Sequence, residues 1–220
     1  MKKIIIFGTG LFAEVAHFYF SHDSDYEVVG FTENFNHSDK KILFNLPVVP
    51  FENIESVFPP DSFSLFVAIG YSGMNKIREN FCIESKNKGY ELVSYVNSKA
   101  TTWNDLSIGE NCFILENNVI QPFVKIGNGV IIWSGNHIGH HTKISDYCFI
   151  ASHAVISGNV KVGERCFIGV NATIRDDIKI ASECLIGANV YVSKDTSPKE
   201  IYKSISSKPI SISSDEINHF

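Results

Sequence analysis

Four histidines fall within a short stretch in the second half of the chain. They are His137, His140, His141 and His153, and the first three lie in the run Gly-Asn-His-Ile-Gly-His-His that starts at position 135. An imidazole has a reference pKa of about 6.5, so a neutral histidine can accept a proton near neutral pH. The cluster indicates either general-base chemistry or a metal site. The structure predicted for the segment that carries the histidines helps to distinguish a general base from a metal site.

The histidines lie inside a strict six-residue repeat. Ile or Val occupies every sixth position from Ile108 to Val192, at fifteen places out of fifteen. An α-helix repeats every 3.6 residues and a flat strand every two, so a repeat of six sustained over about 85 residues fits neither. The repeat therefore predicts a solenoid.

A second position of the repeat, four residues after the aliphatic one, carries small or medium apolar residues and is predicted to point inward. Four of the five cysteines occupy it, at spacings of 36, 18 and 18 residues: Cys112, Cys148, Cys166 and Cys184. Because free cysteine behaves as a small hydrophobe, we expect packed core thiols rather than ligands or disulfides. Glycine often follows the aliphatic residue, where a side chain would crowd a corner and a permissive backbone would help.

His140 and His141 follow Ile138 at positions that face outward, toward solvent or a neighbour. A zinc site needs several imidazoles that converge, and His137, His140 and His141 are too close along one extended hexad to do so within one chain. We therefore expect no metal. Ligands shared between subunits keep a γ-class carbonic anhydrase open as a minor alternative.

The N-terminal part of the chain predicts a parallel α/β sheet with a glycine turn. A buried strand over residues 3–7 is followed by Gly8, Thr9 and Gly10 and by a helix over residues 11–20, in the pattern G-x-G-x-x-A. Such a turn lets the backbone approach a phosphate at the helix N-terminus. Further strands are predicted over residues 26–31 and 64–69, and the strand ends should form a ligand crevice.

The size of this N-terminal region bears on the ligand. About 95 residues provide one βαβαβ half rather than the two halves that usually embrace a dinucleotide. Mononucleotide binding is therefore favoured over NAD. A glycine turn with a purely structural role is the other interpretation.

The repeat and the glycine turn together resemble the bacterial sugar acyltransferases of the sialic acid O-acetyltransferase and nucleotide-aminosugar N-acetyltransferase family. The resemblance implies a Rossmann-like nucleotide-binding domain followed by a left-handed parallel β-helix with three hexads per coil. It also implies transfer of an acetyl group from acetyl-CoA to a nucleotide-linked amino-deoxysugar in surface-glycan (lipopolysaccharide) biosynthesis. Sugar O-acetylation is the main alternative, and a non-catalytic scaffold is a further one.

The resemblance also implies which residues bind the nucleotide sugar. The positions that match the family's glycine turn, the end of its second strand and the glycine after its third strand are Gly8, Gly10, Leu11, Phe12, Thr32, Glu33 and Gly70.

The family's general base falls on His140, which would take the proton from the attacking amine or hydroxyl. Gly158, one coil later, would leave room for the pantetheine arm of CoA. The resemblance implies that Gly158, Gly169, Val170 and Ala188 contact acetyl-CoA, since they match the positions that do so in the family. Possible support for the base comes from three residues: His141, Asp146 and His153.

Composition limits the partners. The formal net charge is -5, with 44% hydrophobic and 20% charged residues, and no Lys/Arg run stands out. The sequence therefore shows no basic patch of the kind that binds the phosphate backbone of a nucleic acid. The apolar run near the N-terminus is cut at Gly8, too short for a signal peptide or a membrane span, so a cytoplasmic protein is expected.

Three segments are predicted: a nucleotide-sugar-binding domain over residues 1–96, an acyltransferase β-helix over 97–193 and a C-terminal tail or cap over 194–220. A homotrimer with its active site between adjacent prisms is implied by the resemblance. Apolar residues on the outward faces would otherwise be left exposed. These apolar residues are Phe123, Trp133, Phe149 and Phe167.

Overall fold

The computed structural model describes residues 2–35, 41–209 and 211–216. Its N-terminal sheet has the strand order β3-β4-β2-β1-β5, and all pairs are parallel except β3 with β4. The strands are β1 (Lys2–Phe7), β2 (Tyr26–Glu33), β3 (Ile42–Leu43), β4 (Leu46–Pro50) and β5 (Ser64–Val67), and the helices are α1 (Leu11–His22), α2 (Ile54–Val57) and α3 (Lys76–Asn87). The predicted strands and the helix after the glycine turn are thereby confirmed.

The second half of the chain is a parallel β-helix in which strands pair at a spacing of eighteen residues, as in Lys125 with Lys143. The last pair differs, because Leu185 pairs with Ile201. We call its three sheets face 1, face 2 and face 3. Face 1 contains β6 (Tyr95–Val96), β8 (Phe113–Ile114), β11 (Ile131–Ile132), β14 (Phe149–Ile150), β17 (Phe167–Ile168), β20 (Leu185–Ile186) and β22 (Ile201–Tyr202). Face 2 contains β9 (Val119–Ile120), β12 (His137–Ile138), β15 (Val155–Ile156), β18 (Thr173–Ile174) and β21 (Tyr191–Val192). Face 3 contains β7 (Ser107–Ile108), β10 (Lys125–Ile126), β13 (Lys143–Ile144), β16 (Lys161–Val162) and β19 (Lys179–Ile180). The predicted left-handed β-helix with three hexads per coil is confirmed.

The chain turns at three edges, each marked by a column of left-handed residues spaced by eighteen. Edge 1 joins faces 3 and 1, edge 2 joins faces 1 and 2, and edge 3 joins faces 2 and 3. The edge 1 column is Asn111, Gly129, Tyr147, Arg165 and Glu183; the edge 2 column is Asn117, Gly135, His153, Asn171 and Asn189; the edge 3 column is Phe123, His141, Asn159 and Asp177. Most of these residues are not glycine, although φ is positive at all of them.

The glycines of the repeat have a different role from the one predicted. A permissive backbone was expected at the glycine after the aliphatic residue, but positive φ falls two residues later. A Cβ on Gly139 would lie 2.5 Å from the backbone N of Gly158 in the next coil. These glycines are needed because successive coils stack closely, not because φ is unusual.

The core of the β-helix consists of the repeat's aliphatic residues and its small inward residues. Cys112, Cys148, Cys166 and Cys184 are all buried, as predicted, and all five cysteines are free. Burial raises the pKa of the Cys112 thiol to about 11. The thiol stays protonated at neutral pH and donates to the Gly127 carbonyl at 3.0 Å, which suits a core residue rather than a ligand.

The N-terminal domain packs against the outer side of face 1. Phe20 and Phe66 form a common core with Phe113, and Tyr71 contacts Phe149 and Phe167 with centroids 5.0 Å apart in each case. Phe149 is buried, and Trp133 and Phe167 are partly buried. The prediction that these three side chains would be exposed without a second subunit is therefore wrong. Their own N-terminal domain covers them, and Phe123 alone of the four is exposed, at 63%.

A buried arginine joins the two domains. Arg78 of α3 has no exposed surface. On the β-helix side it donates to the carbonyls of Gly129 at 2.9 Å, Tyr147 at 3.0 Å and Cys148 at 3.3 Å. On its own side it donates to the carbonyls of Ile69 and Gly70 and to the Asn75 side chain. Burial lowers the pKa of the guanidinium to about 10, which still leaves it charged at neutral pH.

A second set of contacts lies beside the first along edge 1. Asn75 is fully buried and donates to the carbonyls of Arg165 at 3.2 Å and Cys166 at 3.3 Å. Arg165 pairs with Glu79 of α3 at 3.2 Å, and Lys76 pairs with Glu183 at 2.8 Å. Helix α3 is therefore fixed along four successive coils.

The predicted domain limits remain predictions, but two strands lie outside the limits set for the β-helix. Tyr95–Val96, in the segment given to the N-terminal domain, pairs with β8, and Ile201–Tyr202, in the predicted tail, pairs with β20. Residues 1, 36–40, 210 and 217–220 of the predicted segments lie outside the described residues. Within the described ranges, no helix is both long enough and apolar enough to cross a membrane.

Replacement of Arg78 by Met should lower the free energy of unfolding by roughly 3–5 kcal/mol, because buried acceptors lose their donor where water cannot replace it. Urea unfolding measures the change. Lys86→Met is the matched control, since Lys86 lies on the same helix and its ion pair with Glu110 of the β-helix is exposed, with 52% of the Lys86 side chain accessible. Equal stability of the two variants would show that the buried contacts do not hold the domains together.

Candidate functional site

A cleft of about 300 Å³ opens at the carboxyl ends of β1, β2 and β5. This is the edge of the sheet where β1 lies between its neighbours β2 and β5, the point at which parallel α/β sheets bind ligands. Its lining residues are Phe7, Gly8, Thr9, Gly10, Glu33, Asn34, Ala68, Ile69, Ser72, Ile77 and Phe81. The cleft is where the sequence placed the nucleotide site.

The glycine turn brings the backbone close to this cleft. Gly8 has φ of +116°, its N–H donates to the Thr32 carbonyl at 2.8 Å, and a Cβ would lie 3.1 Å from the Ala68 carbonyl oxygen. Gly10 precedes α1, and no atom lies within 4 Å of where its Cβ would be. Open space at a helix N-terminus suits a phosphate group.

An acidic side chain in the cleft lies beside the glycine turn. Glu33 is the last residue of β2, and its carboxylate accepts a hydrogen bond from the Thr9 hydroxyl. The contact holds the carboxylate at the mouth of the glycine turn, where it can accept from a ribose hydroxyl or a base N–H.

Three residues predicted for the nucleotide site lie elsewhere. Thr32 is fully buried and its hydroxyl donates to the Val49 carbonyl at 2.8 Å, so it is a core residue. Leu11 is 81% exposed and is not part of the cleft lining. Phe12 packs on Phe113 instead, with centroids 5.6 Å apart. The alternation of side chains along a strand explains why Thr32 is buried. Successive side chains point to opposite sides of the sheet, so Thr32 points into the core and its neighbour Glu33 points the other way.

Gly70 lies at the rim of the cleft rather than in its lining. Its carbonyl accepts from Arg78, so this part of the loop is tied to the β-helix. Ile77 and Phe81 were missed because α3 was not predicted. Their spacing of four residues is the signal that could have placed them on one helix face.

His140 lies at edge 3 with its side chain exposed. Gly158 lies next to it in the following coil, and a Cβ there would be 2.7 Å from the His140 Cε1 and 2.8 Å from Nε2. The side chain at position 158 must therefore be absent for the imidazole to lie where it does. The structure brings the two residues together as the sequence predicted.

The other ring nitrogen of His140 faces its neighbour. His140 Nδ1 lies 3.1 Å from Nδ1 of His141, which occupies the left-handed corner position and packs on Phe123 with centroids 4.7 Å apart. The His140 backbone N–H donates to the Gln121 side chain at 2.8 Å. His141 is therefore in contact with the candidate base, and Nε2 points toward the space above Gly158.

Within a single chain, two residues predicted as possible support lie away from His140. The Asp146 carboxylate accepts from the backbone and side chain of Asn128, at 2.7 and 3.3 Å, and so stabilises the preceding coil. His153 lies at edge 2, where its ring takes the space that a Cβ on Gly135 would need. Edge 2 is a different corner of the prism from the edge that carries His140.

The predicted acetyl-CoA residues also divide between edges. Gly158 lies at edge 3, whereas Gly169, Val170 and Ala188 adjoin the edge 2 column. Val170 is 43% exposed, and Ala188 is exposed too. Gly169 is buried, and a Cβ would lie 2.6 Å from the Ala188 N, so its role is coil stacking. At about 3.3 Å per residue, one face of the prism separates the two groups within a single chain by roughly 15–20 Å.

Within the described ranges, no three His, Cys, Asp or Glu side chains are arranged to hold a metal ion. Chemistry without a metal remains a prediction.

Replacement of Gly158 by Ala should displace the His140 ring, because the new methyl group would lie well inside the usual carbon–carbon contact distance of about 3.5 Å. The His140 ¹H–¹³Cε1 resonance should shift while the urea midpoint changes little. Ile83→Ala on α3 is the control, since Ile83 is 47% exposed and lies away from edge 3. An unchanged His140 resonance in the Gly158 variant would contradict the geometry.

Comparison with protein-family models assigns most of the chain. The PglD N-terminal domain model matches residues 3–85, the bacterial transferase hexapeptide (six repeats) model matches 105–140 and 141–176, and the hexapeptide repeat of succinyl-transferase matches 159–194. None of the curated proteins matches the chain by sequence.

Several solved structures share both domains. A variant of perosamine N-acetyltransferase from Caulobacter crescentus, in complex with CoA and GDP-perosamine, is 23% identical with a TM-score of 0.80, covering 90% of this chain and 92% of that chain. The acetyltransferase domain of PglB from Neisseria gonorrhoeae, in complex with acetyl coenzyme A, is 20% identical with a TM-score of 0.77, covering 91% and 95%. WeeI from Acinetobacter baumannii is 19% identical with a TM-score of 0.59, covering 89% and 92%.

At these identities the likeness establishes the fold. The chain thus joins a PglD N-terminal domain to a bacterial-transferase hexapeptide-repeat domain, which confirms, in its domains and fold, the resemblance to the bacterial hexapeptide-repeat sugar acyltransferases.

Proposed function

We propose that the protein is an acetyl-CoA-dependent N-acetyltransferase that acetylates the amino group of a nucleotide-linked amino-deoxysugar in bacterial surface-glycan biosynthesis. One observation carries the proposal: the missing side chain at Gly158 lets the imidazole of His140 lie over the next coil, and His140 remains exposed there. An acceptor and a thioester can meet only where both have room beside a base.

The chemistry follows from the two ring nitrogens of His140. The substrate amine attacks the thioester carbonyl, and Nε2 takes a proton from the amine. The C–S bond then breaks, and the CoA thiolate leaves with the proton that the imidazolium returns to it. A basic Nε2 requires the proton of His140 to lie on Nδ1, and this Nδ1–H then donates a hydrogen bond to Nδ1 of His141, 3.1 Å away. His141 takes the orienting role that a carboxylate often plays. No acyl-enzyme is needed.

The glycine-turn cleft supplies the nucleotide site. Gly10 offers open space for phosphate at the N-terminus of α1, and Glu33 offers an acceptor for ribose or base. The solved structures bear on the acceptor: one is a variant of a perosamine N-acetyltransferase in complex with CoA and GDP-perosamine. Among the alternatives, this supports a nitrogen acceptor over the oxygen of a sialic acid-type O-acetylation.

A homotrimer is the assembly that the proposal requires. The N-terminal domain occupies face 1 of its own β-helix, on the side away from edge 3. His140 at edge 3 therefore needs a second copy to bring a nucleotide cleft and an edge 2 alongside it. Apolar residues suited to that contact are Val119, Phe123, Val155 and Tyr191, which are 38–63% exposed.

Replacement of His140 by Ala should lower kcat by about 10²–10⁴, the usual contribution of a general base, and leave nucleotide-sugar affinity nearly intact. Steady-state kinetics and calorimetry with a GDP- or UDP-linked 4-amino sugar measure the two quantities. His153→Ala is the control at edge 2, and His141→Ala should have a smaller effect than His140→Ala. A near-normal kcat in the His140 variant, with activity abolished in the His153 variant, would move the base to His153.

Light scattering should give three times the 24.6 kDa mass of one chain. Val155→Glu should reduce that mass, because a carboxylate would be buried in an apolar contact between copies. Ile83→Glu is the control, since Ile83 is 47% exposed on α3. A wild-type monomer would contradict an active site shared between subunits.

A further inference from the structure

Four lysines form a column on the outer side of face 3. Lys125 pairs with Lys143, Lys143 with Lys161, and Lys161 with Lys179, each in the adjacent coil. All four side chains are exposed. With neighbouring strands about 4.8 Å apart, the column is roughly 14 Å long. We call this column the lysine ladder.

The ladder is specific to face 3. The equivalent outward column of face 1 is apolar and covered by the N-terminal domain, and that of face 2 has no lysine. Those columns are Phe113, Ile131, Phe149, Phe167 and Leu185 on face 1, and Val119, His137, Val155, Thr173 and Tyr191 on face 2. Coil geometry therefore does not demand lysine at this position.

The ladder's charges are not neutralised within the described part of the chain. No carboxylate oxygen there lies within 4.0 Å of any of the four ammonium groups. The nearby Asp177 carboxylate accepts from Asn159 at 2.8 Å. Like charges directly opposite each other on paired strands are destabilising. A column of them on a chain of net charge -5 is a feature that an anion would stabilise.

The position of the ladder connects it with edge 3. Lys143 follows the corner residue His141 by two residues, and Lys161 follows Gly158 by three. The second lysine of the ladder, Lys143, therefore lies in the coil of His140, and the ladder continues past Gly158 toward the last coil. An extended ligand whose reactive end lies at His140 would place its distal groups along Lys161 and Lys179.

We propose that the lysine ladder binds the phosphate groups of an extended anionic substrate whose reactive end lies beside His140. This inference rests on the proposed function. Two sources have this chemistry: CoA, with its diphosphate and 3′-phosphate, and the diphosphate of the nucleotide sugar. Because the glycine turn already offers a site for the nucleotide sugar, CoA is the expected source.

Calorimetric titration of the full-length protein with CoA, at low and high salt, tests the ladder. The double variant Lys161→Gln with Lys179→Gln should bind CoA about tenfold more weakly, the factor expected when two exposed charge contacts are lost, and its affinity should depend less on salt. The matched control is Lys3→Gln with Lys41→Gln, at exposed lysines of the N-terminal domain. GDP and UDP should bind equally to all three proteins.

Several outcomes would overturn the proposal or its assignment. Equal CoA, GDP and UDP affinities in the ladder and control variants would remove the ladder from ligand binding while leaving acetyl transfer in place. If the ladder variant binds GDP or UDP more weakly but CoA as before, the ladder binds the phosphates of the nucleotide sugar rather than those of CoA. A changed oligomeric mass of the ladder variant would make face 3 a contact between copies and overturn the phosphate site.

One further probe separates this proposal from the proposed function. If inorganic tripolyphosphate binds the wild type through the ladder but CoA does not bind at all, the acetyltransferase proposal fails and the anion site stands.

Discussion

The arrangement of the two domains depends on one buried cation. Arg78 gives its donors to backbone carbonyls of the β-helix and of its own domain, with no carboxylate among its acceptors. A charge without a counterion is costly to bury, and only a full set of acceptors makes that burial tolerable. The three β-helix acceptors, the carbonyls of Gly129, Tyr147 and Cys148, are within reach only when α3 lies along edge 1. The docked geometry is therefore strongly specified.

The same docking decides which parts of the β-helix remain free. Because the N-terminal domain covers face 1, the aromatic residues of that face belong to the interior of the single chain. Faces 2 and 3 and the edge between them stay accessible. His140, Gly158 and the lysine ladder all lie on this free side. The nucleotide cleft, by contrast, belongs to the covered side, which is the physical basis for expecting the substrate and the base to come from different copies.

The close stacking of coils serves both the fold and the site. Most repeat glycines are fixed by the backbone of the next coil, as at Gly139 and Gly169. Gly129, Gly135 and Gly158 form a second group, in which an aromatic ring of an adjacent coil occupies the space of the missing side chain. At Gly158 that ring is the imidazole of His140, the residue eighteen positions earlier. The spacing that stacks core cysteines and isoleucines therefore also places the candidate base over a glycine.

The sequence by itself determined the β-helix, its inward residues, the glycine turn and the pairing of His140 with Gly158, because an exact repeat fixes which residues lie above one another. It could not determine what covers each face. The repeat alone predicted that Trp133, Phe149 and Phe167 are exposed, but the N-terminal domain covers them. Thr32 was predicted to contact the ligand, but strand alternation places its side chain in the core. Asp146 and His153 lie close to His140 in sequence but at other corners. Only the tertiary structure decided these points, because burial and orientation depend on contacts between residues far apart in the chain.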